Sequence, residues 1–117
     1  ERVAELNEAI ERSEQTKECW LIADLLRIKG ELLLLSGTQG AATAAEAHFR
    51  QALDWARRQG ALSLELRAAT SLARLLRHQG RSADAVALLQ PVYDHFTEGF
   101  DTADLKAAKE LLNGRGS

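Results

Sequence analysis

The feature that most constrains this chain is that it repeats itself at helical spacing. When Gly37 is set beside Gly80, Leu21 falls on Leu64, Ala23 on Leu66, Gly30 on Ala73 and Leu33 on Leu76, at an offset of 43 residues. The segments that follow match as well, with Ala45, Phe49 and Ala52 beside Ala85, Leu89 and Val92, at an offset of 40. Within each segment apolar residues recur every three or four positions, as in Leu62, Leu66, Ala69, Leu72, Ala73 and Leu76, which is one face of an α-helix. Small residues where two helices cross, with larger ones a turn away, are what close antiparallel helix packing needs. A period of this size marks stacked helix pairs whose apolar faces are buried only by their neighbours.

Glycine and capping residues divide the chain into six expected helices, over 2–15, 17–36, 43–58, 62–79, 82–97 and 102–113. Gly37, Gly60, Gly80 and Gly114 stand where a helix C-terminus calls for a left-handed residue. Thr43-Ala44-Ala45-Glu46 reads as a capping box, Ser82 as the cap of the fifth helix, and Asp101 with Asp104 as acceptors at the start of the last. Pro91 falls inside a helical pattern and must kink that helix or end it early. No segment calls for a strand, so the fold class is all-α. The N-terminal helix matches the second-helix pattern through Leu6 and Ala9. The expected organisation is one domain over 1–117. It comprises half a repeat (1–16), two full repeats (17–59 and 60–98), a terminal capping helix (99–113) and a tail (114–117).

The pattern of a small residue, Gly seven later, Ala five further, an aromatic four further and Ala three further resembles the tetratricopeptide repeat. Gly30, Gly37, Ala45, Phe49 and Ala52 carry it in the first repeat, with three extra residues around Thr38–Ala41; Ala73, Gly80, Ala85, Leu89 and Val92 carry it in the second. The repeats run longer than the usual 34 residues or so, the usual Trp is absent, and Arg57 stands where Pro is common. Residues 57–75, together with Leu89-Gln90-Pro91-Val92-Tyr93 and Phe96 through Thr102, resemble the C-terminal region of large bacterial regulators. In those proteins helical repeats follow an ATPase module, often with a class III adenylate or guanylate cyclase or a helix-turn-helix output domain elsewhere. The resemblance spans nearly the whole chain. It implies a tetratricopeptide-like superhelix but transfers no activity, because none of the catalytic motifs of those proteins is in this sequence.

Composition bounds the function classes. With 117 residues, 45% of them hydrophobic, a core forms without disulfides, and the single Cys19 excludes a disulfide framework or a multi-cysteine metal site. A net charge of -2 argues against a chain that coats nucleic acid. The longest apolar run, Leu32–Leu35, is far short of the roughly 20 residues of a membrane span. With no Met anywhere, the chain reads as a piece of a longer protein; the lone thiol and the absence of an apolar leader point to the cytoplasm.

Catalytic and metal constellations are not legible. His48, His78 and His95 lack ligand spacing and read as surface histidines; no metal and no cofactor is expected. Cys19 reads as a packed residue rather than a nucleophile, since no base accompanies it. Ser36-Gly37-Thr38-Gln39-Gly40 lacks the Lys-Ser/Thr ending of a phosphate loop. The aromatic residues Trp20, Phe49, Trp55, Tyr93 and Phe96 read as core, and Phe100 as a staple on the last helix.

What remains is the inner wall of the superhelix, built from the first helix of each pair. The repeat register puts Asp24, Arg27, Glu31 and Leu34 there from the first pair, and Arg67, Thr70, Arg74, Arg77 and His78 from the second. Positions 67, 70, 74 and 77 share one helical face, so three arginines point the same way. They suit carboxylates or an acidic peptide through charge-assisted bonds; the alternative is a solvated face with Glu65 and Asp84 as partners. The chain is therefore expected to be a non-catalytic interaction or regulatory module of a bacterial signalling or transcription regulator. Its partner would be a protein, a peptide or another domain of the same chain, with neither nucleic acid nor membrane bound directly, and its open repeat ends would permit a homodimer. DNA binding through a helix-turn-helix element and a small helical enzyme are the competing readings. The first lacks a recognition helix after a short turn, and the second lacks any convergent polar set.

Overall fold

The computed structural model describes residue 18 and residues 21–99 and 102–114. The expected helix over 2–15, with Cys19, Trp20, Phe100, Asp101 and the end of the tail, lies outside them. Among the described residues there are five helices and no strand: α1 over 21–36, α2 (Ala41–Gln59), α3 (Leu62–His78), α4 (Ser82–Asp94) and α5 (Ala103–Leu112). The class is all-α.

The turns follow from glycine chemistry. Gly60 and Gly80 both adopt left-handed φ, +64° and +77°. Each lets the next residue reach back over the helix end, with the Ala61 amide on the Ala56 carbonyl at 2.9 Å and the Arg81 amide on the Leu76 carbonyl at 2.8 Å. This six-to-one closure satisfies carbonyls that a helix end otherwise strands, and it recurs in identical form after α2 and α3.

The N-termini depart from expectation. α2 begins two residues before Thr43, because Gly40 (φ +80°) already turns the chain and its carbonyl takes the Ala44 amide at 3.1 Å. Thr43 is thus inside the first turn and exposed, and no capping box forms. The Glu46 carboxylate instead accepts from Arg50 at 2.9 Å, with Arg81 at 3.5 Å. Ser82 is the first helical residue of α4 and Arg81 its cap; Thr102 holds the cap position of α5, and none of these starts carries a side-chain cap bond. α4 runs through Pro91 and closes at Asp94, three residues short of position 97, with 3₁₀-type bonds from His95 to Val92 and from Phe96 to Tyr93. Pro91 leaves the Ala87 carbonyl without its usual amide donor, and the residue is exposed to water, which can take that role.

α3 is the hub. It packs on α2, α4 and α5, and α4 also packs on α5. Its run from Ala68 through Ala73 is buried without interruption. Small side chains allow this, since Ala68, Ala69, Ser71 and Ala73 let three helices approach one axis. Thr70, polar and buried, is satisfied by donating its hydroxyl to the Leu66 carbonyl at 2.7 Å. Phe49, Leu66, Leu72, Leu76, Leu89 and Val92 are the largest fully enclosed side chains. α1 crosses α2 at Gly30, where an added Cβ would stand 2.6 Å from Cε1 of Phe49, too close for any side chain.

The other aromatic residues fit less uniformly into the core. Tyr93 and Phe96 are partly buried against it, while Trp55 is half-exposed with the Arg58 guanidinium 6.0 Å from its ring centre. His48 departs from the surface reading: Nδ1 is enclosed and has no hydrogen-bond partner among the described residues. His78 and His95 are exposed. No described helix is long and apolar enough to cross a membrane.

Candidate binding groove

α1 presents Asp24, Arg27, Glu31 and Leu34 at intervals of three and four, one continuous helical face. α3 presents Arg67, Thr70 and Arg74 at the same intervals, and α5 closes the end of the trough with Asp104 and Ala107. Two adjoining cavities lie in it. One, of about 290 Å³, is lined by Arg27, Arg67, Thr70, Ser71, Arg74, Asp104 and Ala107. The other, of about 230 Å³, is lined by Glu31, Leu34, Ser71, Arg74, Leu75 and His78. Ser71 and Arg74 belong to both, so Arg74 stands at the junction.

Two of the three groove arginines are committed to carboxylates. Arg27 Nε donates to Asp24 at 3.1 Å, and Arg67 Nε donates to Asp104 at 2.9 Å, with Asp24 4.0 Å from Arg67 Nη1. The Asp104 hydrogen bond, and then its charge, push the Arg67 guanidinium further above its already high pKa. Partial burial opposes this, and Asp24 adds to the rise. Arg74 differs: half-buried, it has no ion pair or hydrogen bond among the described residues. It lines a polar cavity on one side and, on the other, one walled by Leu34 and Leu75, and its guanidinium carries five N–H donors. Glu31 lies across that second cavity.

The groove thus assembles eight of the nine residues anticipated from the repeat register. Asp24 takes part through its ion pairs, and Arg27, Glu31, Leu34, Arg67, Thr70, Arg74 and His78 line the cavities directly. Arg77 is the exception. Its Nη1 donates to the Leu111 carbonyl at 3.3 Å, which draws the side chain to the C-terminal end of α5 and away from both cavities. A long side chain near the end of its helix reaches past its own face, and the exposed carbonyls of α5 attract it. Glu65 and Asp84 do not neutralise the groove either, for they pair with Arg57 and Arg81 at 3.1 and 3.2 Å. Asp104 and Ala107 were not anticipated, because they come from outside the repeat and only the docking of α5 brings them in. Ser71 and Leu75 follow Thr70 and Arg74 by one position, and a helix face wide enough to include them was readable from the sequence.

Among the described residues no three His, Cys, Asp or Glu side chains come together as a metal site would require. Comparison of the chain with protein-family models, curated proteins and solved structures gives no match.

Proposed function

We propose that this chain is a non-catalytic interaction module, and that the groove between α1, α3 and α5 captures a partner segment carrying a carboxylate next to an apolar side chain. The observation that carries this reading is Arg74, a half-buried guanidinium with no partner among the described residues, placed where a polar and an apolar cavity meet. A carboxylate would bond to Arg74 with a fork-to-fork geometry, and the adjacent aliphatic group would fill the space against Leu34 and Leu75. Arg27 and Arg67 are neutralised by Asp24 and Asp104, which leaves Arg74 to meet the partner's charge. Glu31 disfavours a dense acidic tract, so one well-placed charge suits the site better than a polyanion.

The wider setting is a stack of tetratricopeptide-like helix pairs in a bacterial signalling or transcription regulator, in which any ATPase, cyclase or DNA-binding activity belongs to other domains. The Gly30–Phe49 crossing and the closure at Gly80 support this, because Gly30, Phe49 and Gly80 all stand at positions of the repeat pattern. The test is fluorescence anisotropy with short peptides that pair Asp or Glu with Leu or Ile, compared with their amide counterparts. Arg74→Ala should weaken binding of the acidic peptides by roughly 10- to 100-fold, the value of a charged hydrogen bond of about 1.5–3 kcal/mol, and leave the amide peptides unchanged. Equal binding of acid and amide forms, or indifference to Arg74→Ala, refutes the groove.

A further inference from the structure

The cavity of about 230 Å³ between α1 and α3 holds two opposite charges that are not paired with each other. Glu31 and Arg74 both line it and both are half-buried, yet neither has an ion pair or hydrogen bond among the described residues. Their neighbours differ, since Arg27 is paired with Asp24 and Arg67 with Asp104. Leu34 and the buried Leu75 give the cavity its apolar wall. Ser71 lines it too; the residue is only 5% exposed, and its hydroxyl makes no hydrogen bond among the described residues. Half-buried charges that share a cavity without pairing lose hydration and gain little attraction in return. A molecule with one positive and one negative group would restore both.

We propose that this cavity binds a single apolar α-amino acid of the leucine class, its carboxylate on Arg74, its ammonium on Glu31 and its side chain against Leu34 and Leu75. A free α-amino acid carries all three groups on one carbon, so it meets a small site that offers their complements together. The Arg74 guanidinium matches a carboxylate as a planar fork, the Glu31 carboxylate accepts from an ammonium, and the Ser71 hydroxyl adds a donor. A round space of this volume is about 8 Å across, which accommodates charge-assisted bonds of about 2.8 Å on either side of a zwitterion. Sites for drug-sized ligands run to about 300–1,000 Å³, so this smaller one suits one amino acid rather than a dipeptide. Aspartate or lysine would set an unpaired charge against Leu34 and Leu75. The inference rests on the same groove as the partner-segment reading and goes beyond it, because Glu31 becomes a binding group. Both ligands need Arg74, so a bound amino acid excludes the segment's carboxylate.

The test is isothermal titration calorimetry of the full chain with L-leucine, L-leucinamide and N-acetyl-L-leucine. L-Leucine should bind saturably, and each blocked form, lacking one charge, should bind about 10-fold or more weakly, as expected for a lost charged hydrogen bond. Glu31→Gln, with folding checked by circular dichroism, should weaken L-leucine to a similar degree and leave N-acetyl-L-leucine unchanged. Absence of saturable L-leucine binding, equal binding of L-leucine and N-acetyl-L-leucine, or indifference of L-leucine to Glu31→Gln would overturn the proposal. Acidic peptides that still bind through Arg74 in that event would leave the partner-segment reading standing. L-Leucine binding without any peptide binding would remove that reading and support this one.

Discussion

Replacing Gly30 by Ala sets two large effects of opposite sign against each other at one atom. In a helix interior Ala is favoured over Gly by about 1 kcal/mol, so an isolated α1 would gain from the change. The new Cβ would stand 2.6 Å from Cε1, 2.9 Å from Cδ1 and 3.1 Å from Cζ of Phe49, where carbon atoms prefer about 3.5–4.0 Å. Phe49 cannot swing aside, because its side chain is completely buried in the α2–α3 core. Relief therefore requires α1 to move off α2 by about 1 Å, which loosens Leu26 and Leu33 as well. Overpacking of this kind typically costs about 1–3 kcal/mol. The balance is a net loss of about 1 kcal/mol, or a fall of about 4 °C in Tm for a domain of this size. The assay is urea unfolding followed by far-ultraviolet circular dichroism, run as a double-mutant cycle with Phe49→Leu. Shortening the ring makes room, so the double variant should be more stable than the two single losses together imply, by about 1 kcal/mol. A Tm that rises for Gly30→Ala alone, or a coupling of zero, would mean that α1 does not cross α2 at Gly30.

Two further substitutions probe local chemistry. Pro91→Ala restores an amide to the Ala87 carbonyl in the exposed interior of α4; after the entropy that Pro removes from the unfolded chain is subtracted, it should stabilise by about 1–2 kcal/mol, and an unchanged thermal midpoint would contradict the helical placement of Pro91. His48→Leu removes an enclosed Nδ1 that has no partner among the described residues and should raise stability by about 1 kcal/mol, so a loss on denaturant unfolding would reveal a bond to that nitrogen.

The helices, their glycine ends and the inner face were legible because each depends on short-range spacing. Gly60 and Gly80 do the same work in any helical context, and three- and four-residue intervals put Arg27 beside Glu31 whatever lies opposite. The helix starts were not legible in the same way. Thr43 and Glu46 satisfy the capping pattern, yet Gly40 turns the chain first and leaves the box no free amide to cap. The groove's charge balance was hidden for another reason: it depends on α5. Asp104 reads locally as the first-turn acid of its own helix, but its strongest bond is to Arg67, 37 positions earlier. Arg77 shares a face with Arg67 and Arg74 by periodicity, and only the docked end of α5 reveals that it leaves that face.

α5 gives the helical stack a direction. Leu105, Ala108 and Leu111 seal it onto α3 and α4, while Lys106, Lys109 and Glu110 face water. A helix finished this way presents charged side chains, not an apolar face, on its outward side. A helix pair grafted after α5 would meet Lys106, Lys109 and Glu110, and would dock there only once those positions were made apolar.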